Sequence, residues 1–344
     1  HDTTSDSTWQ VTDMGGEWNG SSPSNPILVG DTIYFSAYDV DVGFELWAHD
    51  TSNNSTWEVY DINSGSDPSN LGSNFVLLYG DTIYFNADDG ISGQEMWAHN
   101  TSNSSTWQVS DINNGAPDSW VGGYMAELVG DTIYFSADDG ISGYEMWAHN
   151  ISNTSTWQVS DIYSGLSHSY PGRYMYHLLG DTMYFSAKTY NYGHEMWAYN
   201  ISNSTSWEII DIDPGGIGSY PGSSMATLVG YTIYFSADDG ANGHELWAHD
   251  TSNSSTWMVM DINQGASDSY PGSYMEILIG NTIFFSATGL NGAEIWAHDT
   301  LSSKTWEVGD IRVGSYSAIP GEYLTLLVNG DLYFEATDGT GYDL

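Results

Sequence analysis

One six-residue phrase recurs along this chain at an almost constant spacing. TIYFSA begins at Thr32, Thr132 and Thr232, TIYFNA at Thr82, TMYFSA at Thr182 and TIFFSA at Thr282, and DLYFEA begins at Asp331. Seven copies at a period of about 50 residues restrict the chain to an array, a solenoid or a propeller, in which each unit buries its faces against its neighbours.

One repeat shows which of these it is. Tyr124 to Val129 is a short, mostly apolar run, and Gly130-Asp131 supplies a tight turn. Thr132 to Ala137 is rich in β-branched and aromatic residues that suit a pleated, packed surface, and Asp138-Asp139-Gly140 ends it with residues that tolerate left-handed geometry. Glu145 to Asn150 is a third strand around Trp147. After a polar turn, Trp157 to Asp161 alternates apolar and polar, as a strand with one wet face does. Nothing has helical spacing. The expectation is an all-β, seven-bladed β-propeller with four antiparallel strands per blade, as a single domain over residues 1–344.

Thirteen of the 15 Trp fall at two fixed places, at Trp47, Trp97, Trp147, Trp197, Trp247 and Trp296, and at Trp9, Trp57, Trp107, Trp157, Trp207, Trp257 and Trp306. Aromatic residues placed once per blade are expected to pack rather than bind. The chain ends carry complementary halves of a blade. Ser7 to Val11 matches a fourth strand, and Gly341 to Leu344 matches Gly143 to Met146. Residues 1–14 are therefore expected to complete the blade of 323–344, either in the same chain or head to tail in a second copy. Because the chain begins at His1, an upstream segment is expected to have been removed or left out.

Charge narrows the partners. Forty-five acidic residues against four basic ones give a formal net charge of −41. Nucleic acid and anionic membrane surfaces are disfavoured, cations are concentrated, and a salty medium would screen the self-repulsion. No apolar run approaches the length of a membrane span, and no signal peptide is visible. Cysteine is absent, which excludes disulfides and thiolate metal sites.

Successive hairpin turns of an up-and-down sheet alternate ends, so each blade has two faces. One carries the Gly-Asp turn and the third-to-fourth turn. There the N-x-S/T pattern recurs at Asn53, Asn54, Asn100, Asn103, Asn150, Asn153, Asn200, Asn203 and Asn253, with Asn19 isolated in another loop. Asn and Ser suit turns on their own account. Paired sequons at one spacing in three repeats point instead to N-glycosylation and an extracellular or cell-surface location, with covalently attached glycans.

The other face carries Asp88-Asp89, Asp138-Asp139 and Asp238-Asp239. Oxygen donors of this kind suit calcium, the one cofactor considered. No EF-hand or nonapeptide spacing is present, and Asp at a turn commonly bonds its own backbone. Periodicity breaks most around Thr182, where Lys188-Thr189-Tyr190 replaces Asp-Asp-Gly, and His168, Tyr170, Arg173, Tyr174, Tyr176 and His177 precede it. Arg173, Lys188, Tyr190 and His177 form a cationic, aromatic candidate site for a carboxylate, a sulfate or an acidic sugar; ion pairing of both cations with neighbouring Asp is the alternative. His49, His99, His149, His249 and His298 recur once per blade, as structural residues do, and no nucleophile elbow, zinc motif or phosphate loop appears, so no enzyme is expected.

The third strand reads Phe44-Glu45-Leu46-Trp47, Gln94-Glu95-Met96-Trp97 and His244-Glu245-Leu246-Trp247 in three copies. With Asp61-Ile62-Asn63-Ser64-Gly65 and Tyr84 to Gly90, this resembles the secreted ELW-x-x-D propeller-type repeats of bacteria and archaea across essentially the whole chain. It departs where that family continues with Asp-Gly-Thr, since here a sequon follows Ala-His. The resemblance implies a secreted or surface β-propeller and fixes no activity; the acidic, sequon-rich composition looks like an archaeal surface glycoprotein. The expected function is a structural or adhesive surface or filament subunit, with a lectin-like module and a polysaccharide-active enzyme as competing classes.

Overall fold

The computed structural model describes residues 4, 6–14, 20–190, 193–215 and 217–344, and every described strand pairs antiparallel. Six repeats form four-stranded sheets in simple sequential order. In the third repeat the strands are Ala126–Val129, Thr132–Asp138, Tyr144–Asn150 and Ser155–Ser160. The middle ladder runs from Thr132↔Asn150 to Asp138↔Tyr144 without a break.

Its outer ladder does break. Met146 pairs Ser160 while Trp147 pairs Gln158, which leaves Val159 as an extra residue in the fourth strand. The same bulge recurs in all six sheets. A bulge re-aims side chains. Here it lets Val59, Val109, Ile209 and Val259 pack against the core.

The chain divides into two compact units, His1–Ser169 and Tyr170–Leu344. In each, the core lies between consecutive sheets rather than within one. In the first unit Tyr34, Leu46 and Ala48 of one blade meet Ile83, Phe85, Ala87 and Trp97 of the next. In the second, Tyr234, Leu246 and Ala248 meet Ile283, Phe285, Ala287 and Trp296. The second-strand phrase thus supplies both faces, since its Tyr covers one neighbour and its Phe the other.

The two sets of Trp differ. Trp97 and Trp296 are buried, whereas Trp57, Trp107, Trp157, Trp207 and Trp257 on the fourth strands are 39–41% exposed. The second set is packed less completely than the first, because the outermost strand has no further strand to cover it.

The seventh repeat is shorter. It has Thr325–Val328 paired with Asp331–Phe334, and Ala336–Thr337 paired with Tyr342–Asp343. Residues 8–14 carry no regular secondary structure and Ser7 forms one isolated bridge, so no four-stranded seventh sheet is present among the described residues.

Candidate functional site

The blade that presents every candidate site is held by one repeated carboxylate. Glu45, Glu95, Glu145, Glu195, Glu245 and Glu294 have no exposed surface. Glu145 accepts hydrogen bonds from Ile162 N at 2.9 Å, Tyr163 N at 3.3 Å and Ser169 Oγ at 2.7 Å. The long connection to the next blade is thereby tied back onto the third strand. Ser119 carries the link onward, donating from its N–H to Gln94 O and accepting from Asp138 N. Burial pushes the carboxyls of Glu45, Glu95, Glu145, Glu195 and Glu245 up to about 7, since desolvation outweighs the donors around them.

The recurrent histidines are structural in the same way. His49, His99, His149, His249 and His298 each place Nδ1 2.8 Å from a Thr hydroxyl on the fourth strand. Each of the last four rings also meets a Tyr of the preceding repeat or, for His99, Tyr34. Tying strands together and filling the seam between blades occupies both sides of the ring.

At the sequon face the Gly-Asp turn and the third-to-fourth turn do meet, with Ile151 N donating to Asp131 O at 2.8 Å. The structure sorts the sequons into two kinds. Asn100, Asn150 and Asn200 are half-buried at the strand end, and each donates Nδ2 to the hydroxyl of Thr82, Thr132 or Thr182 at 3.1–3.2 Å. Asn103, Asn153 and Asn203 stand at the exposed tip, where Oδ1 accepts the hydroxyl of their own sequon Ser105, Ser155 or Thr205 at 2.6 Å. Asn53, Asn54 and Asn253 are exposed too, with Asn53 and Asn253 donating Nδ2 to Asp50 and Asp250. Asn19 lies outside the described residues.

On the other face the paired aspartates serve their own turns. Asp88 and Asp138 accept from Gly90 N and Gly140 N, and Asp89 and Asp139 accept from two backbone N–H groups each. Asp238 and Asp239 repeat the pattern. Among the described residues, one group of three could hold a metal ion: Asp238 with His244 and Asp268, ligand atoms within 4.8 Å. Of the six aspartates singled out in the sequence, it draws in Asp238 alone.

The aperiodic patch condenses around His194, a residue the sequence did not flag. His194 is 5% exposed, and its Nδ1 is buried without a hydrogen-bond partner. Tyr174 meets the ring edge-on at 4.9 Å, Tyr170 stacks at 6.2 Å and Tyr220 approaches at 5.8 Å. The Arg173 guanidinium lies over Tyr170 at 5.2 Å and Tyr174 at 5.6 Å, and Lys188 pairs with His194 across the ladder. Burial first, and then the Arg173 and Lys188 charges, push the imidazole down to about 4, so it is neutral. Tyr170 and Tyr220 each have φ 49°, a left-handed conformation that bulky residues rarely adopt and that costs about 1–3 kcal/mol. Tyr190 is 79% exposed in the turn after Lys188, and His177 sits on the first strand beside Tyr184. Chemically, a fixed cation between aromatic faces suits an anionic group on a ring-shaped ligand.

No protein-family model matches the sequence, and no curated protein matches it. Solved structures do. The chain is similar to a prolyl endopeptidase structure at TM-score 0.51 and 11% identity, covering 92% of this chain and 46% of that one. Two others are tricorn protease (TM-score 0.36, 18% identity, covering 84% of this chain and 26% of that one) and BamB from Moraxella catarrhalis (0.45, 12%, 90% and 78%). Thus the chain spans about a quarter of tricorn protease and under half of the prolyl endopeptidase. With the sequential four-stranded sheets, the fold is an all-β propeller of about 50-residue blades.

Proposed function

We propose that this chain is an extracellular, N-glycosylated β-propeller scaffold of the ELW-x-x-D kind, with a structural or adhesive role at a cell surface and no catalytic activity. The observation that carries it is the tip of the sequon turn, where Asn103, Asn153 and Asn203 are exposed and each is bonded to its own sequon hydroxyl. Turns of this kind recur from repeat to repeat and give each of these repeats its own attachment point. The net charge of −41 suits a scaffold in a salty extracellular medium. Intact-mass measurement of the native protein tests this. The expected result is a mass above the 37.7 kDa polypeptide by several glycans, and the bare polypeptide mass would overturn it.

A second reading, a lectin-like module for acidic glycans, is favoured by the Arg173–Tyr170–Tyr174 stack over a neutral His194. Arg173→Ala is expected to abolish binding to sulfated or uronic-acid glycans on an array. Equal binding by both proteins would remove it.

A further inference from the structure

The start of the third strand is a meeting point that the repeat builds and then fills differently. In the fifth repeat Asp238, at the end of the second strand, pairs with His244 across the ladder, and His244 N donates to Asp268 Oδ1 on the long connection at 2.8 Å. The second repeat joins Asp88, Gln94 and Asp118 in the same way, the third Asp138, Tyr144 and His168, and the sixth Thr288, Ala293 and Ser317. Of these four repeats, the fifth alone has a carboxylate or an imidazole at all three positions.

The three groups converge. One ligand atom from each of Asp238, His244 and Asp268 lies within 4.8 Å of the others, and all three residues are half-buried. Small side-chain rotations bring such a set onto one ion at about 2.0–2.2 Å. His244 Nδ1 is buried and has no hydrogen-bond partner in the protein, whereas buried polar atoms are nearly always paired. A bare ion about 2.1 Å from a nitrogen occupies a space too narrow for a water molecule, so closure to solvent does not close the site to a metal.

The group is braced from outside as metal ligands are. Tyr270 stacks on the His244 ring with centroids 5.2 Å apart, and its hydroxyl bonds to Asp268. Gly240 N donates to Asp238 Oδ1 at 2.8 Å. Gly243, at φ 74°, lets the connection lie close, since a Cβ there would come within 2.9 Å of Asp268 Oδ1.

The ligand set selects the ion. One imidazole and two carboxylates fall short of the oxygen-only shell of about six to eight donors that calcium takes. Mixed nitrogen and oxygen donors suit Zn²⁺ and the neighbouring divalent transition metals, and three protein ligands leave a position open to water or an outside donor. The net charge of −41 concentrates any cation around the chain.

We infer that Asp238, His244 and Asp268 form a binding site for a divalent transition-metal ion of the Zn²⁺ class, joining the second-to-third turn of the fifth repeat to the connection that leads into the sixth. It is separate in place from the cationic patch at Arg173 and does not depend on the glycosylation reading. The test is a calorimetric titration of the intact protein with ZnCl2 in about 10 mM MgCl2, which screens the general acidic surface. Saturable binding of one equivalent per chain is expected, with affinity at least about tenfold weaker in His244→Gln, Asp238→Asn and Asp268→Asn and unchanged in Asp88→Asn. These variants keep the bonds of the fold. An Asn oxygen accepts from the same N–H groups, and Gln94 already stands at this position in the second repeat. Zinc should also raise the melting temperature of the parent and leave that of His244→Gln where it is. No saturable zinc binding, or an affinity that His244→Gln leaves unchanged, would overturn the assignment, the second result placing the ion on the acidic surface instead.

Discussion

At the residue scale the carboxylate of each third strand is the group on which blade geometry depends. Glu145 has no exposed surface and accepts three hydrogen bonds from the following connection. Glu145→Ala would leave those donors buried and unpaired, so it should lower stability by about 3 kcal/mol in denaturant melts, with Glu145→Gln losing roughly half as much. The carboxyl also sets a pH dependence. Five such groups titrate near 7 in the folded protein against an ordinary 4.5, so the native state binds more protons between these values. Stability should therefore be fully present below about 4.5 with respect to these groups and fall as pH rises through 7. Thermal melts at constant ionic strength check this, with a higher melting temperature at pH 5 than at pH 8; the reverse order would contradict it. The Glu recurred visibly in the motif, but its role was illegible there. A carboxylate that ends up buried is distinguished from an exposed one only by where the next connection passes.

At the scale of the element, glycine positions separate turns that need glycine from those that merely prefer it. Gly143 has φ 73°, and a Cβ there would come within 2.3 Å of the Ser167 carbonyl oxygen. Gly130 has φ 63° and open space around the same point. Gly143→Ala should accordingly cost well over the roughly 1 kcal/mol expected for Gly130→Ala, because a backbone atom cannot step aside as a side chain can. Chemical melts of the two variants measure the difference. The strands and tight turns of each blade were legible, since β-branched runs punctuated by Gly-Asp and Asp-Asp-Gly have few other readings. The bulge at Val159 was not. Trp157 to Asp161 reads as clean alternation, and only the pairing partner reveals that one residue is inserted. The cluster at His194 was half legible. Arg173 and Lys188 stood out as rare cations, but His194 belongs to a position that varies from blade to blade, so nothing marked it until the Tyr rings closed around it.

At the scale of the molecule, a chain of net charge −41 arranges its blades in sequence and puts every sequon but that of Asn19 at or next to one kind of turn. The period made the fold class readable, because a unit that cannot bury its own faces must stack. How each sequon asparagine is held was not readable, because the three-residue pattern is the same in both kinds. The folded turn distinguishes them by what the amide already does: Asn150 Nδ2 is given to Thr132 and Asp131, while Asn153 stands free of the strand ladder at an exposed tip. Site-resolved glycopeptide mass spectrometry of the native protein tests the surface-scaffold account most directly. Glycan mass is predicted on the peptides at Asn103, Asn153 and Asn203, with Asn100, Asn150 and Asn200 carrying less. Unmodified asparagine at all three tip positions would contradict it.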